Sequence, residues 1–424
     1  MSSSVTDFLY SHGLSPTLIN PPQAAWKMLE HMKAGLAGKP VDMPMIPTFI
    51  YADGEIEKNK PVIVIDAGGT NYRCALAVFR DSGCELSNLK VGKMPGTGET
   101  VEWSSFISYV ADSIEDIINE TDIIGFCFSY NVEITPDIDG IVKRIDKEVI
   151  IKNSEGQRIG ASLVSELEKR GYPGKKVIIL NDTVAALLGG ISSADKNDFS
   201  GLAGMICGTG VNTCCALQTE KIDKIPDCRK GKMLINLESG LFNSFPLGDI
   251  DKLVDAESNN PGEKIMEKMS SGVYLGTICR KAIEIAVEEG NLDKSCLRKI
   301  ENIEKFDASV PNAWASGEDP YGIFAGEELE FVQGISHALF ERSARCMCTN
   351  IIAIMLLLEK GQDPEKPVCV CAEGSLIGKS TYFRPMLEKC LRFYAEGTLS
   401  LHCTLLIGKD TTLPGAAAAA LLNT

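Results

Sequence analysis

The sequence predicts an α/β fold made of two similar lobes that face each other across a cleft, and three observations carry this. Pro61 to Phe79, PVIVIDAGGTNYRCALAVF, is a β-branched run, a Gly-Gly-Thr turn and a second apolar run, the pattern of a β-hairpin. Leu202 to Leu217, LAGMICGTGVNTCCAL, repeats that grammar around a Gly-Thr-Gly turn. Helical periodicity fills Trp103 to Asn119, Gly160 to Arg170, Pro261 to Glu289, Phe331 to Lys360 and Tyr382 to Tyr394, with short strands between. Two hairpins so far apart do not fit a solenoid, whose units recur every roughly 20–50 residues. They fit paired lobes whose sheets are covered by helices and whose ligands sit at strand ends. The first 60 residues, rich in Pro, Gly and Met, are expected to wrap the outside of one lobe.

Composition narrows the function. The 424 residues are 44% hydrophobic and 23% charged, ample for a packed core. Forty-two Lys and Arg against 57 Asp and Glu leave a net charge of −15, which argues against a nucleic-acid partner and requires any anionic ligand to have a local site. MSSSVTDFLYSHGL lacks the basic and apolar regions of a secretory signal. The longest apolar runs, Ile351 to Leu358 and Ala416 to Leu422, fall far short of the ~20 residues that cross a bilayer. A cytoplasmic chain without a membrane partner is expected, its fifteen cysteines buried or free thiols in a reducing compartment. Their CxC spacings and four scattered histidines do not make a zinc site. Cys369 and Cys371, two apart in a strand-like run, should share one sheet face.

The candidate residues follow the strands in order. Asp66 ends the first apolar run of the first hairpin, with Gly68, Gly69, Thr70 and Asn71 behind it. An ordinary turn explains these residues. So does a phosphate site, where glycines admit close backbone approach and a carboxylate orients magnesium-bound water. The second copy, Gly208-Thr209-Gly210, favours phosphate. Asp182 follows the strand Lys176 to Leu180 and precedes VAALLGG, so it either caps a helix or projects into the cleft. Glu238 and Glu267 could be solvated surface carboxylates. With Asn181 and Asn212 they also have the acceptors and donors that a polyol requires, although spacing alone does not bring them together.

VIDAGGTNYR (Val64 to Arg73), LNDTVAALL (Leu180 to Leu188) and GMICGTGVNTC (Gly204 to Cys214) resemble, in order, the first phosphate motif, the segment of the catalytic Asp and the second phosphate motif of the hexokinase family. PGTGE (Pro95 to Glu99), INLESG (Ile235 to Gly240) and SNNPGEKIMEKMSSGVYLG (Ser258 to Gly276) resemble further family segments, so the likeness runs from about Lys60 to the C-terminus. It implies the two-lobed actin-like ATPase (ribonuclease H-like) fold. Residues 60–181 would form a small lobe, to which a helix at about 413–424 returns, and residues 1–59 and 182–412 a large lobe. The implied activity is transfer of the γ-phosphoryl group of MgATP to the 6-hydroxyl of a hexose, glucose first, in glycolysis.

Carried over by residue, Asp182 would be the base, with Lys147 steadying negative charge. Ser129, Asn181, Asn212, Glu238 and Glu267 would hold the sugar. Asp66 (to magnesium through water), Gly69, Thr70, Asn71, Arg73, Thr209 and Gly210 would surround the phosphates, with Gly374, Ser375 and Gly415 near the adenosine. Lobe closure on sugar binding and a monomer or homodimer complete the implied picture, and a catalytically weak sugar sensor of the same fold is the alternative. The chain departs from the family pattern at Ser129-Tyr130-Asn131 (usually Ser-Phe-Pro), Asp146 (Thr), Lys264 (Gln), Ser239 (Trp) and AEGS at Ala372 to Ser375 (an Asp-Gly pair).

Overall fold

The computed structural model describes residues 3–145 and 149–424. Its two main sheets share one plan. In the five-stranded sheet the order is Gly83–Lys93, Asn71–Arg80, Pro61–Gly68, Ile123–Phe128, Lys176–Leu180. In the other it is Lys232–Asn236, Val211–Gln218, Gly201–Cys207, Val368–Glu373, Cys403–Ile407, with Ile46–Tyr51 added beside Lys232–Asn236. In both, three strands run as an antiparallel meander and the last two join in parallel. The repeated sequence grammar is this repeated meander.

Two helices fill the space between the sheets. Asp182–Ile191 leaves the last strand of the five-stranded sheet, and Thr412–Asn423 leaves the last strand of the six-stranded sheet. They share one core with strand residues of both sheets, among them Val64, Ala75 and Leu180 from one and Cys214, Ala216 and Cys371 from the other. Contact is backbone to backbone because the side chains are small. A Cβ on Gly415 would stand 1.9 Å from the carbonyl oxygen of Ala185, and one on Gly125 2.2 Å from that of Ala416. The run Ala416 to Ala420, wholly buried, is therefore helix packed between sheets.

The first 60 residues do more than wrap a surface. Pro21–Leu36 is a helix capped by Asn20, whose side chain accepts from the backbone N–H of Gln23. Its face of Ala25, Met28, Leu29, Met32 and Leu36 is buried in the large-sheet core, the i, i+3, i+4, i+7 pattern of an amphipathic helix, and Ile46–Tyr51 is a sheet edge. The helix expected over Pro261 to Glu289 is also different. It is two helices, Ile265–Ser270 and Gly272–Glu288, broken where Ser271 is extended. The N–H of Gly272 turns to the carbonyl of Gly208 at 2.7 Å, so the second hairpin's turn takes a bond the helix would otherwise use. All fifteen cysteines are free, and Cys369 and Cys371 share a face with sulfurs 3.7 Å apart. No helix is long and apolar enough to cross a membrane among the described residues.

The tight seat of the C-terminal helix has a measurable consequence. Gly125→Ala places a methyl group against the Ala416 carbonyl, and overpacking of this kind costs about 1–3 kcal/mol. Urea unfolding should show a lower midpoint. An unchanged midpoint would mean the helix does not lie this close to the strand.

Candidate active site

The first hairpin sets Asp66 opposite Arg73, with Gly68 opposite Asn71 and Gly69-Thr70 as the turn. Gly69 has φ +58°, a conformation that favours glycine. Arg73 donates twice to Asp66 Oδ2, at 3.0 and 2.7 Å, and once to Asp410 Oδ1 at 3.1 Å. Asp66 is 7% exposed. Burial pushes its carboxyl above the ordinary value, Arg73 pulls it down, and the charges of Asp182 and Glu373 push it up again. Its Oδ1 lies toward Gly68, where an added Cβ would be 3.1 Å from that oxygen and 3.3 Å from Ser129 Oγ. The Tyr130 hydroxyl donates to the Gly69 carbonyl at 2.5 Å. The hydroxyl that replaces the usual Phe thus fastens the turn.

Asn181, not Asp182, caps the next helix. Its Oδ1 accepts from the N–H of Val184 at 3.0 Å, which leaves Asp182 as the first helical residue, half-buried and accepting from Thr183 Oγ1 at 3.2 Å. The charge of Asp182 raises both Asp66 and Glu238. Asp182 is therefore near enough to both carboxyls for its charge to act on them.

That wall is built on the second hairpin. Asn212 donates to Asn236 Oδ1 at 2.8 Å, and Asn236 donates to Glu238 Oε1 at 2.7 Å. Burial is the main cause that raises Glu238. The Asn236 bond and Lys264 lower it, and Asp182 and Glu267 raise it. Glu267 Oε2 accepts from the N–H of Val211 at 3.1 Å and fills the place a side chain on Gly210 would need, 2.6 Å from an added Cβ. Lys264 lies 3.6 Å from Glu267 Oε1. Ser239 is wholly buried, and its Oγ has no partner among the described residues.

At the turn itself the N–H of Gly208 bonds the carbonyl of Gly210 at 3.0 Å, and Thr209 is exposed. The backbone of Gly374 and Ser375 lies against Gly208, where an added Cβ would be 2.9 Å from the Ser375 nitrogen. Glu373 turns away, accepting from the Thr411 N–H at 3.1 Å and from its hydroxyl. Of the expected residues, Gly415 alone stands in the helix interface, where close approach to Ala185 accounts for its missing side chain. Lys147 and Asp146 lie outside the described residues. Sequence reasoning missed Asn236, Glu373, Asp410 and the role of Tyr130. Asn236 lies two residues before Glu238 in INLESG, and Tyr130 and Glu373 lie in segments that depart from the family pattern, so their positions were visible and their partners were not.

Two parts of the hexokinase family profile match residues 20–191 and 202–422. Hexokinase-7 of Oryza sativa subsp. japonica is 30% identical over 83% of this chain and 82% of its own length. The chain belongs to the hexokinase family. It is a hexose kinase, and the match begins some forty residues before the segment in which the motifs were legible. Hexokinase-1 of Saccharomyces cerevisiae is 28% identical over 86% of this chain and 80% of its own length. The solved hexokinase of Schistosoma mansoni, complexed with glucose, superposes with a TM-score of 0.80 at 20% identity, covering 99% of this chain and 98% of that one. The two-lobed actin-like ATPase fold is therefore the architecture, and the two matching sheets are its two halves.

The raised carboxyls of this hexokinase fix the sign of a pH effect. A group raised in the folded state stabilises fully below its unfolded value and loses that contribution as pH rises through the folded one. Glu238→Gln should thus gain stability over the native chain as pH climbs from the ordinary carboxylate value of 4.5 towards 8. Urea unfolding at pH 4 and 8 tests this. An advantage that is equal at the two pH values, or larger at pH 4, would contradict it.

Proposed function

We propose that this hexokinase transfers the γ-phosphoryl group of MgATP to the 6-hydroxyl of a hexose, glucose first, with Asp182 as the general base. The observation that carries the reading is the position of Asp182, whose charge reaches Asp66 beside the first glycine turn and Glu238 in the polyol wall at once. A hydroxyl between them would give its proton to Asp182 as its oxygen attacks phosphorus. Phosphoryl transfer depends mainly on positioning and charge neutralisation. Asn212, Glu238, Glu267, Ser129 and the side-chain amide of Asn181 would hold the other hydroxyls. Lys147 would steady the developing negative charge.

The turns Gly69-Thr70 and Gly208-Thr209-Gly210 would cradle phosphates, with Asn71 beside the first turn. Arg73 would act through Asp66, which it already grips, and Gly374 and Ser375 would flank the adenosine. Gly415, near the start of the helix Thr412–Asn423, would stand on the same side. Asp66 suits magnesium, since Arg73 occupies Oδ2 and leaves Oδ1 for one metal-bound water, which is enough for an ion that keeps most of its waters. Magnesium would neutralise the phosphate charge. Closure of the two sheets on the sugar would exclude water as a competing acceptor. Fifteen free thiols fit a reducing setting, and a cytoplasmic, glycolytic role would go with this reading.

Coupled ADP release over glucose, mannose, fructose, galactose and N-acetylglucosamine tests the reading. Asp182→Asn should lower kcat by about 10²–10⁴-fold, the scale of general base catalysis, while calorimetric sugar affinity stays within a few-fold. Sugar binding without ADP release in the native chain would favour the sensor reading instead. Lys264 offers a second check. It pulls Glu238 down, so Lys264→Gln should move the acid limb of kcat/KM to higher pH; a limb that stays in place or moves lower would remove Glu238 from the sugar site.

A further inference from the structure

A concave site lies well away from the carboxylates. At the end of the six-stranded sheet opposite the Gly208-Thr209-Gly210 turn, a cavity of about 340 Å³ opens between that sheet, the 52–54 link to the other sheet and the end of the helix Gly326–Leu358. Gly201 lines it and Cys207, at the other end of the same strand, adjoins the turn. At ~3.3 Å per residue the two sites are ~20 Å apart.

Its charge runs against that of the chain. Lys196, Lys221, Lys232 and Lys360 line it with a single carboxylate, Asp53, in a protein of net charge −15. Asp53 is already engaged, since its Oδ2 accepts from the backbone N–H of Lys232 at 2.5 Å. Lys196 Nζ donates to the Gly54 carbonyl, and Lys221 pairs at 3.0 Å with Glu359, which is largely in solvent. Among the described residues neither Lys232 nor Lys360 has a carboxylate within 4.0 Å of its ammonium group. Ser200, also on the wall, has a buried Oγ without a hydrogen-bond partner among the described residues.

We propose that this cavity binds a small phosphorylated anion, its phosphoryl group held by Lys232 and Lys360. Several ammonium groups around one space repel each other until a multiply charged anion enters, and lysine serves phosphate as a point charge. The volume is at the lower end of the about 300–1,000 Å³ of small-molecule sites, which suits a phosphorylated metabolite or free phosphate and not a polymer. Occupancy would tie the 52–54 link, through which the chain passes from one sheet to the other, to the far end of the phosphate hairpin.

Calorimetry on the whole chain with inorganic phosphate and with a hexose 6-phosphate tests this. A hexose 6-phosphate is also the product of the proposed reaction, so the source is the anion whose binding is lost in the double variant. In Lys232→Met/Lys360→Met that binding should weaken at least ~10-fold, the loss of about 1.4 kcal/mol expected for removal of charged donors. ADP release without added anion and the thermal midpoint should be unchanged, which separates this site from the catalytic reading. Equal affinity in the double variant, or no saturable binding of either anion to the native chain at millimolar concentration, would overturn the proposal.

Discussion

Holding several carboxylates around one partly dry space is the constraint on which the rest of the structure depends. The charge of Asp182 bears on Asp66 and on Glu238, that of Glu267 bears on Glu238, and burial makes the charges of Asp66 and Glu238 harder to carry. The protein offsets this locally. Arg73 grips Asp66, the Asn212–Asn236 chain donates to Glu238, and the Val211 N–H and Lys264 meet Glu267. Each partner satisfies one oxygen or one face of its carboxylate. A site so arranged is less stable than an apolar one and is held ready for a ligand that supplies hydroxyl donors, a trade between stability and activity common at functional sites.

Such a site needs a frame that brings distant segments close without letting them relax. Two sheets of one plan supply it, each with a glycine turn between the first two strands of its meander. The helices between them set the distance. With Gly415 against Ala185 and Gly125 against Ala416, backbone rests on backbone, and the spacing is fixed at these helices, so closure on a ligand has to turn about this seat. The extended residue Ser271 belongs to the same logic. By ending one helix there, the chain frees the Gly272 N–H to hold Gly208 and keeps Glu267 within reach of Val211.

What was legible in the sequence was whatever local chemistry forces. Both hairpins were, because β-branched runs around glycine turns have few other uses, and so was the strand-then-helix position of Asp182. The choice between cap and cleft for Asp182 was not, since it depends on whether Asn181 takes the Val184 N–H, a matter of rotamer and not of residue type. The helix Pro21–Leu36 was hidden by flanking Pro and Gly, although its buried methionines keep helical spacing. The break at Ser271 and the Glu373–Thr411 bond were invisible for a stronger reason. Each is dictated by a partner dozens of residues away or more.

Backbone strain completes the picture of a site held against relaxation. Glu238 and Lys264 both have φ +53°, a left-handed conformation that costs a residue with a Cβ roughly 1–2 kcal/mol. Glycine at either position would relieve it and remove the charge. The conformation is where it is needed: Glu238 ends the run from Lys232–Asn236 and, by turning there, brings its carboxylate back onto Asn236, two residues earlier. Lys264 sits just before the helix Ile265–Ser270, and the same turn brings its ammonium group to Glu267 one turn ahead. Strain of this kind persists only where neighbours over-determine it. Here the neighbours are the opposing charges themselves, so the electrostatics that make the wall costly also fix its shape.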